Sequence, residues 1–80
     1  MNSRLRSFSD VIDTFGVVEL ARLMHTNESH VRVMKTRNSI PPEYWGFVID
    51  EAIRLGLIEI TYKRLHQLRQ MRFNRRRAAA

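Results

Sequence analysis

The chain has 80 residues, contains no cysteine and carries a formal net charge of +6. This length leaves room for one small domain with a thin core, and the lack of cysteine excludes disulfides and thiolate metal sites. Because charges interrupt every apolar run and the basic N-terminus lacks the apolar block of a signal peptide, we expect a cytoplasmic protein without a membrane span.

Two short helices are predicted at the start of the chain. Ser7, three residues before Asp10, is typical of a helix N-cap, and Gly16 provides a stop signal. Between them, four apolar residues have the i, i+3, i+4, i+7 spacing of a buried helix face: Phe8, Val11, Ile12 and Phe15. A second helix is predicted over Val17–Met24, and three of its residues share one face: Leu20, Ala21 and Met24.

A polar turn, His25–Asn27, separates the second helix from a third helix predicted over Glu28–Thr36. Asn27 is a favourable N-cap, and Val31 and Met34 are the apolar positions of this helix. Its other side is polar, mixed in chemistry and without a buried stripe: Glu28, Ser29, Arg32, Val33 and Thr36.

Two further helices are predicted in the second half of the chain. Pro41 and Pro42 end the third helix, and they suit the first turn of a fourth over Pro42–Leu55. Its expected buried stripe is Trp45, Val48, Ile49, Ala52 and Ile53. Leu57–Ile60 is apolar and could form a strand, but it is short and has no second strand to pair with, so we favour a linker. Thr61 can cap a fifth helix with Leu65 and Leu68 buried and Met71 as a further candidate.

These elements predict an all-α fold, a five-helix bundle over residues 1–73 with a basic, disordered tail at 74–80. Val17–Met34 also meets the requirements of a helix-turn-helix. Ala21 is small where the two helices would cross, and Val31, ten residues later, is an apolar residue that can face back towards it.

The Val17–Met34 segment resembles the helix-turn-helix of the Cro and CI (lambda repressor-like) superfamily of phages and mobile elements. The resemblance covers about residues 9–70, including Ile40–Trp45, Gly56–Leu57 and the helix that starts at Thr61.

The chain departs from the family pattern at three positions. The family usually has a polar residue where Val17 stands, glycine where His25 stands, and often tryptophan where Met34 stands. His25 is therefore expected to adopt a positive φ, at some energetic cost.

The resemblance implies that four residues of the third helix read base pairs: Glu28, Ser29, Arg32 and Val33. Their chemistry supports this independently. Arg32 can bind guanine O6 and N7, Glu28 can accept from cytosine N4, and Val33 can contact a thymine methyl group. Phosphate contacts, which fix register without reading sequence, are predicted for six residues: Asn27, Thr36, Arg37, Asn38, Arg22 and Lys35.

The charge distribution favours a polyanionic partner. Residues 28–37 carry a surplus of two positive charges, residues 38–60 a surplus of three negative ones, and residues 61–80 seven basic side chains and no acidic one. Such segregation indicates a polarised surface. The arginines of the tail are a nonspecific DNA arm, a tether to another nucleic acid, or a solubilising end without a role.

We therefore expect a sequence-specific DNA-binding transcriptional regulator, more specifically a repressor, that is cytoplasmic and nucleoid-associated. Its partner would be double-stranded DNA with an inverted-repeat operator, bound by a homodimer formed through the fifth helix or the exposed side of the fourth. The alternatives are an architectural or excisionase-like DNA-binding protein with little base specificity, and a protein-interaction module whose basic tail contacts acidic partners or anionic lipid.

The sequence predicts no enzyme, cofactor, metal or small-molecule substrate. The three histidines, His25, His30 and His66, lack the spacing and partners of a metal site, and no glycine-rich phosphate loop is present. Asp10 and Asp13 are interpreted as charges that complement the dipole of the first helix. Trp45 is assigned to the core by its stripe, whereas Tyr44 lies off the stripe, and its role as a partner contact is left open.

Overall fold

The computed structural model describes the backbone of residues 5–79 and the side chains of residues 5–72. Within this range the fold is all-helical, with one 3₁₀ turn and no strand, which confirms the predicted class. The elements are α1 (Phe8–Phe15), α2 (Val17–Leu23), α3 (Glu28–Arg37), the 3₁₀ turn (Pro42–Tyr44), α4 (Trp45–Leu55) and α5 (Tyr62–Ala79). The bounds of α5 include residues 74–79, which the sequence assigns to a tail, and the disorder of that tail in isolation stays a prediction. None of the helices in the described range has both the length and the apolar character of a membrane span.

The junction between α1 and α2 is made by local caps. Ser7 Oγ accepts a 3.1 Å hydrogen bond from Asp10 N at the start of α1. At its end, Gly16 adopts φ 91° and donates a 2.7 Å hydrogen bond to Ile12 O. Since a positive φ favours glycine, the chain can stop α1 and begin α2 within a single residue.

The turn between α2 and α3 has the conformation expected from the sequence. His25 adopts φ 55°, which confirms the predicted positive φ, and its ring packs edge-on against Phe47 with the centroids 5.7 Å apart. Asn27 Oδ1 accepts a 2.8 Å hydrogen bond from His30 N, so Asn27 caps α3 as predicted.

The core between α2 and α3 is built from the residues that the sequence singled out. Ala21 and Val31 are both buried, and so are Leu20, Met24 and Met34. Ala21, the smallest of these five side chains, is 5% exposed, as its predicted place between the two helices requires.

The segment predicted as a single fourth helix begins with the 3₁₀ turn and becomes α-helical only at Trp45. Tyr44 N donates to Pro41 O at 2.9 Å, the tighter i to i+3 pattern. Trp45 is buried, as predicted, but Ile53 is 73% exposed, and its assignment to the buried stripe was wrong. Eight residues at 100° each rotate Ile53 about 80° past Trp45 and off the apolar face.

The connection from α4 to α5 is a linker, as predicted, and Leu57–Ile60 forms no strand. Thr61 Oγ1 accepts a 3.1 Å hydrogen bond from Arg64 N, which confirms it as the cap of α5. Leu65 and Leu68 are buried, whereas Met71 is 44% exposed and does not belong to the core.

Candidate nucleic-acid interface

The two sides of α3 differ sharply in burial. Val31 and Met34 face the core, with Val31 completely buried. The four predicted base readers are all exposed on the opposite side of the helix: Glu28, Ser29, Arg32 and Val33. This outward face of α3, defined by those four residues, is therefore accessible to a partner.

Two members of the outward face form an ion pair. Arg32 Nη2 lies 3.1 Å from Glu28 Oε1, one helical turn earlier, and the two side chains remain 61% and 47% exposed. The pair uses one carboxylate oxygen and one guanidinium nitrogen, so each side chain keeps hydrogen-bonding capacity for another molecule. An acceptor and a set of donors are thus held side by side at the surface.

Three of the predicted phosphate-contacting residues are exposed and belong to no ion pair within the part of the chain that the structure describes: Asn27, Thr36 and Arg37. Arg37 makes no side-chain hydrogen bond or ion pair with any residue that the structure describes. It lies in the last turn of α3, where a cation is favoured by the helix dipole.

Asn38 ends α3 and connects it to α1. It adopts φ 52° at the C-terminus of α3, and its Oδ1 accepts a 3.1 Å hydrogen bond from Ser9 N. Ser9 Oγ in turn donates a 2.8 Å hydrogen bond to Lys35 O. These bonds join the end of α3 to the start of α1, so the amide oxygen of Asn38 is committed within the fold.

The other two predicted phosphate contacts, Arg22 and Lys35, are exposed but paired with carboxylates. Arg22 forms an ion pair with Glu19 on the same helix. The hydrogen bond from Arg22 lowers the pKa of Glu19, and the same bond raises the pKa of Arg22.

Lys35 Nζ lies 2.5 Å from Asp13 Oδ1, and this pair connects α3 to α1. Asp10 lies in the first turn of α1, as its interpretation as a dipole charge requires, whereas Asp13 lies beyond that turn. The sequence missed the role of Asp13 because its partner is 22 positions away, and no local spacing relates the two.

His30 braces the start of α3. Its Nδ1 lies 2.9 Å from Thr26 Oγ1 in the preceding turn, and its ring packs edge-on against Tyr44 at 5.8 Å between centroids. Tyr44, which the sequence left open, is half-buried and supports this histidine. Thr26 in the turn and Tyr44 at the end of the 3₁₀ turn therefore support the start of α3.

One pocket of about 240 Å³ lies away from the outward face, lined by Leu23, Phe47, Asp50, Glu51 and Arg54. Glu51 is buried and pairs with Arg54, and this hydrogen bond raises the pKa of Arg54. Among the described residues, no group of three histidine or acidic side chains could hold a metal ion.

Comparison with known proteins adds no relative. The chain matches no protein-family model, no curated protein and no solved structure.

Proposed function

We propose that the chain is a sequence-specific, double-stranded DNA-binding transcriptional regulator. In this proposal α2 and α3 form a helix-turn-helix, and α3 enters the major groove. The observation that carries the proposal is the division of α3 into two faces. Val31 and Met34 anchor the helix in the core, while the ion-paired Glu28 and Arg32 stand exposed on the outward face.

The chemistry of the outward face suits the edges of base pairs. Arg32 retains donors for guanine O6 and N7, and Glu28 retains an acceptor for the cytosine N4 amino group. Val33, 44% exposed, offers a methyl-sized apolar surface to thymine. Phosphates repel a carboxylate near DNA, so Glu28 contributes favourably to the binding free energy only where a base supplies a hydrogen-bond donor.

Cations and amides around this face would position the helix on the backbone. Arg37, Asn27 and Thr36 are exposed and are available for phosphate oxygens, whereas Arg22 and Lys35 must share or exchange their carboxylate partners. The seven basic residues of 61–80 supply further nonspecific attraction.

One recognition helix covers only a few base pairs, so the proposed regulator binds an inverted repeat as a homodimer. Both surfaces considered for the dimer expose large apolar side chains: Phe47 and Ile53 on α4, and Tyr62 and Met71 on α5. Because Val17–Met34 resembles the helix-turn-helix of the Cro and CI superfamily, the proposed regulator is a repressor of phage or mobile-element type that acts at the nucleoid in the cytoplasm.

Selection of bound duplexes from a random DNA library tests the proposal directly. The expected product is a dyad-symmetric motif with half-sites about one helical turn apart. A specificity ratio near one against unrelated duplex would contradict base reading and would support the architectural or excisionase-like alternative. Failure to bind any duplex at low salt would contradict DNA binding altogether and favour a protein-interaction module.

A further inference from the structure

Within the described residues, carboxylates pair with three of the four basic side chains of α2 and α3, and Arg37 is the exception. Arg22 is paired with Glu19 within α2, Arg32 with Glu28 within α3, and Lys35 with Asp13 across the two helices α3 and α1. Of these carboxylates, Glu28 is the one that contacts a base, cytosine, in the proposed function. Asp13 has no such role, and it belongs to a helix that reads no bases.

The position of Lys35 makes its pairing significant. Lys35 follows Val31 by one helical turn, on the flank of α3 that faces α1, where its carbonyl accepts from Ser9 Oγ. The side chains of Lys35 and Asp13 are 45% and 56% exposed, so the ion pair lies at the surface between the two helices. A helix inserted in the major groove has phosphates along such flanks.

We propose that Asp13 is a built-in competitor for the phosphate that Lys35 would bind, and that it weakens binding to DNA of any sequence. The inference rests on the proposed function, because it requires α3 to approach a duplex. A phosphate that binds Lys35 either displaces the carboxylate or shares the ammonium with it, since Nζ has three donors. In both cases the charge of Asp13 is no longer neutralised by Lys35 alone, and it repels the DNA or takes up a cation from solution. That uptake offsets the counterion that the phosphate releases.

The variant Asp13→Asn removes the competing charge and nearly preserves the shape of the side chain. Its expected effect on a fixed duplex of arbitrary sequence is an affinity increase of about two- to fivefold at low salt, the range for freeing an exposed ion pair. The plot of log K against log salt concentration should steepen by up to about 0.9, one additional phosphate. Thermal unfolding of each variant establishes that it is folded.

Two controls separate this competition from a general change in charge. Asp50→Asn makes the same change of charge at an exposed position of α4, beside the pocket, and should raise the affinity less. In a Lys35→Met background, Asp13→Asn should lose most of its effect, because the cation for which it competes is gone.

The outcomes of this experiment are distinct from those of the proposed function. If the wild-type chain binds duplex DNA but Asp13→Asn leaves affinity and salt slope unchanged, the proposed competition is wrong and DNA binding stands. An equal gain from Asp50→Asn, or an undiminished gain in the Lys35→Met background, likewise overturns it. If the wild-type chain binds no duplex, the proposed function and this inference fail together.

Discussion

Trp45 Nε1 donates a buried 2.7 Å hydrogen bond to the carbonyl of Ile40, across the segment that joins α3 to α4. The ring also packs against Phe8 of α1, with centroids 6.2 Å apart, and against His66 of α5, at 4.9 Å. A single side chain therefore holds together α1, the α3–α4 join and α5. This bond adds to the contacts of Asn38 and Lys35 with α1 in fixing the position of α3.

We expect Trp45→Phe to destabilise the fold by about 1–3 kcal/mol, because it leaves a buried carbonyl without its donor and removes ring volume. Urea denaturation followed by far-UV circular dichroism measures the free energy of unfolding. Tyr62→Phe, which removes one polar atom from an exposed aromatic residue, is the matched control and should change stability by less than about 0.5 kcal/mol. Equal losses in the two variants would contradict the role assigned to the Trp45 bond.

Two valines of α3 provide a second test, since they differ in burial but share the same side chain. Val31 is completely buried and Val33 is exposed. Val31→Ala should lower the free energy of unfolding by about 2 kcal/mol, through lost burial and a cavity. Val33→Ala should leave stability within about 0.5 kcal/mol of the wild type but alter base selectivity. The unfolding midpoint and the selected motif are measured on the same preparations, and the reverse pattern would mean that α3 faces the other way.

Selectivity itself is tested at the Glu28–Arg32 pair. Arg32→Ala should relax the preference for guanine at one position of the half-site by about 1–3 kcal/mol, and Glu28→Gln should relax the preference for cytosine. Stability should barely change, because exposed ion pairs contribute about 0–1 kcal/mol. Competition binding against single-base variants of the selected site measures both effects. The control is Lys63→Ala, which removes a charge from α5 and should lower the affinity for DNA without altering the selected motif. An unchanged motif in Arg32→Ala would rule out base reading by Arg32.

The parts of the fold that could be predicted are those determined by local chemistry. Caps at Ser7, Asn27 and Thr61 and the stop at Gly16 each involve residues within four positions, so the sequence displays them directly. The turn at His25 follows from its place between two apolar patterns.

Long-range pairings could not be predicted in this way. Asp13 contacts Lys35 across 22 positions, and the guanidinium of Arg64 donates to the carbonyl of Leu5 across 59. Such contacts depend on the packing of whole helices and leave no periodic signal in the chain. The same limit applies to Asn38, whose amide oxygen accepts a hydrogen bond from Ser9 N, 29 positions away, while its Nδ2 donors stay a predicted phosphate contact.

His25 is one of two non-glycine residues with positive φ, the other being Asn38, among the residues that the structure describes. His25→Gly should stabilise the fold by about 0.5–1 kcal/mol, because relief of the left-handed backbone outweighs the added entropy of the unfolded chain and the lost contact with Phe47. Asn38→Gly should not stabilise it, because that change also removes the hydrogen bond to Ser9 N. Thermal unfolding of the two variants measures the difference, and a loss of stability in His25→Gly would show that the ring contact dominates.

The arginines at 75–77 lie beyond the described side chains, and their proposed role as a DNA arm is tested through salt dependence. Replacing Arg75, Arg76 and Arg77 by alanine should reduce the slope of log K against log salt by roughly 0.9 for each phosphate contact that is lost. The motif selected from random DNA should stay the same, because backbone contacts carry no base information. Deletion of residues 78–80, three alanines, shortens the chain without changing its charge and should leave the slope unaltered. If the triple variant has the same salt slope as the wild type, the arginines are not a DNA arm, and the tether to another nucleic acid and the solubilising end remain as their alternatives. A changed motif would instead show that the tail takes part in base recognition.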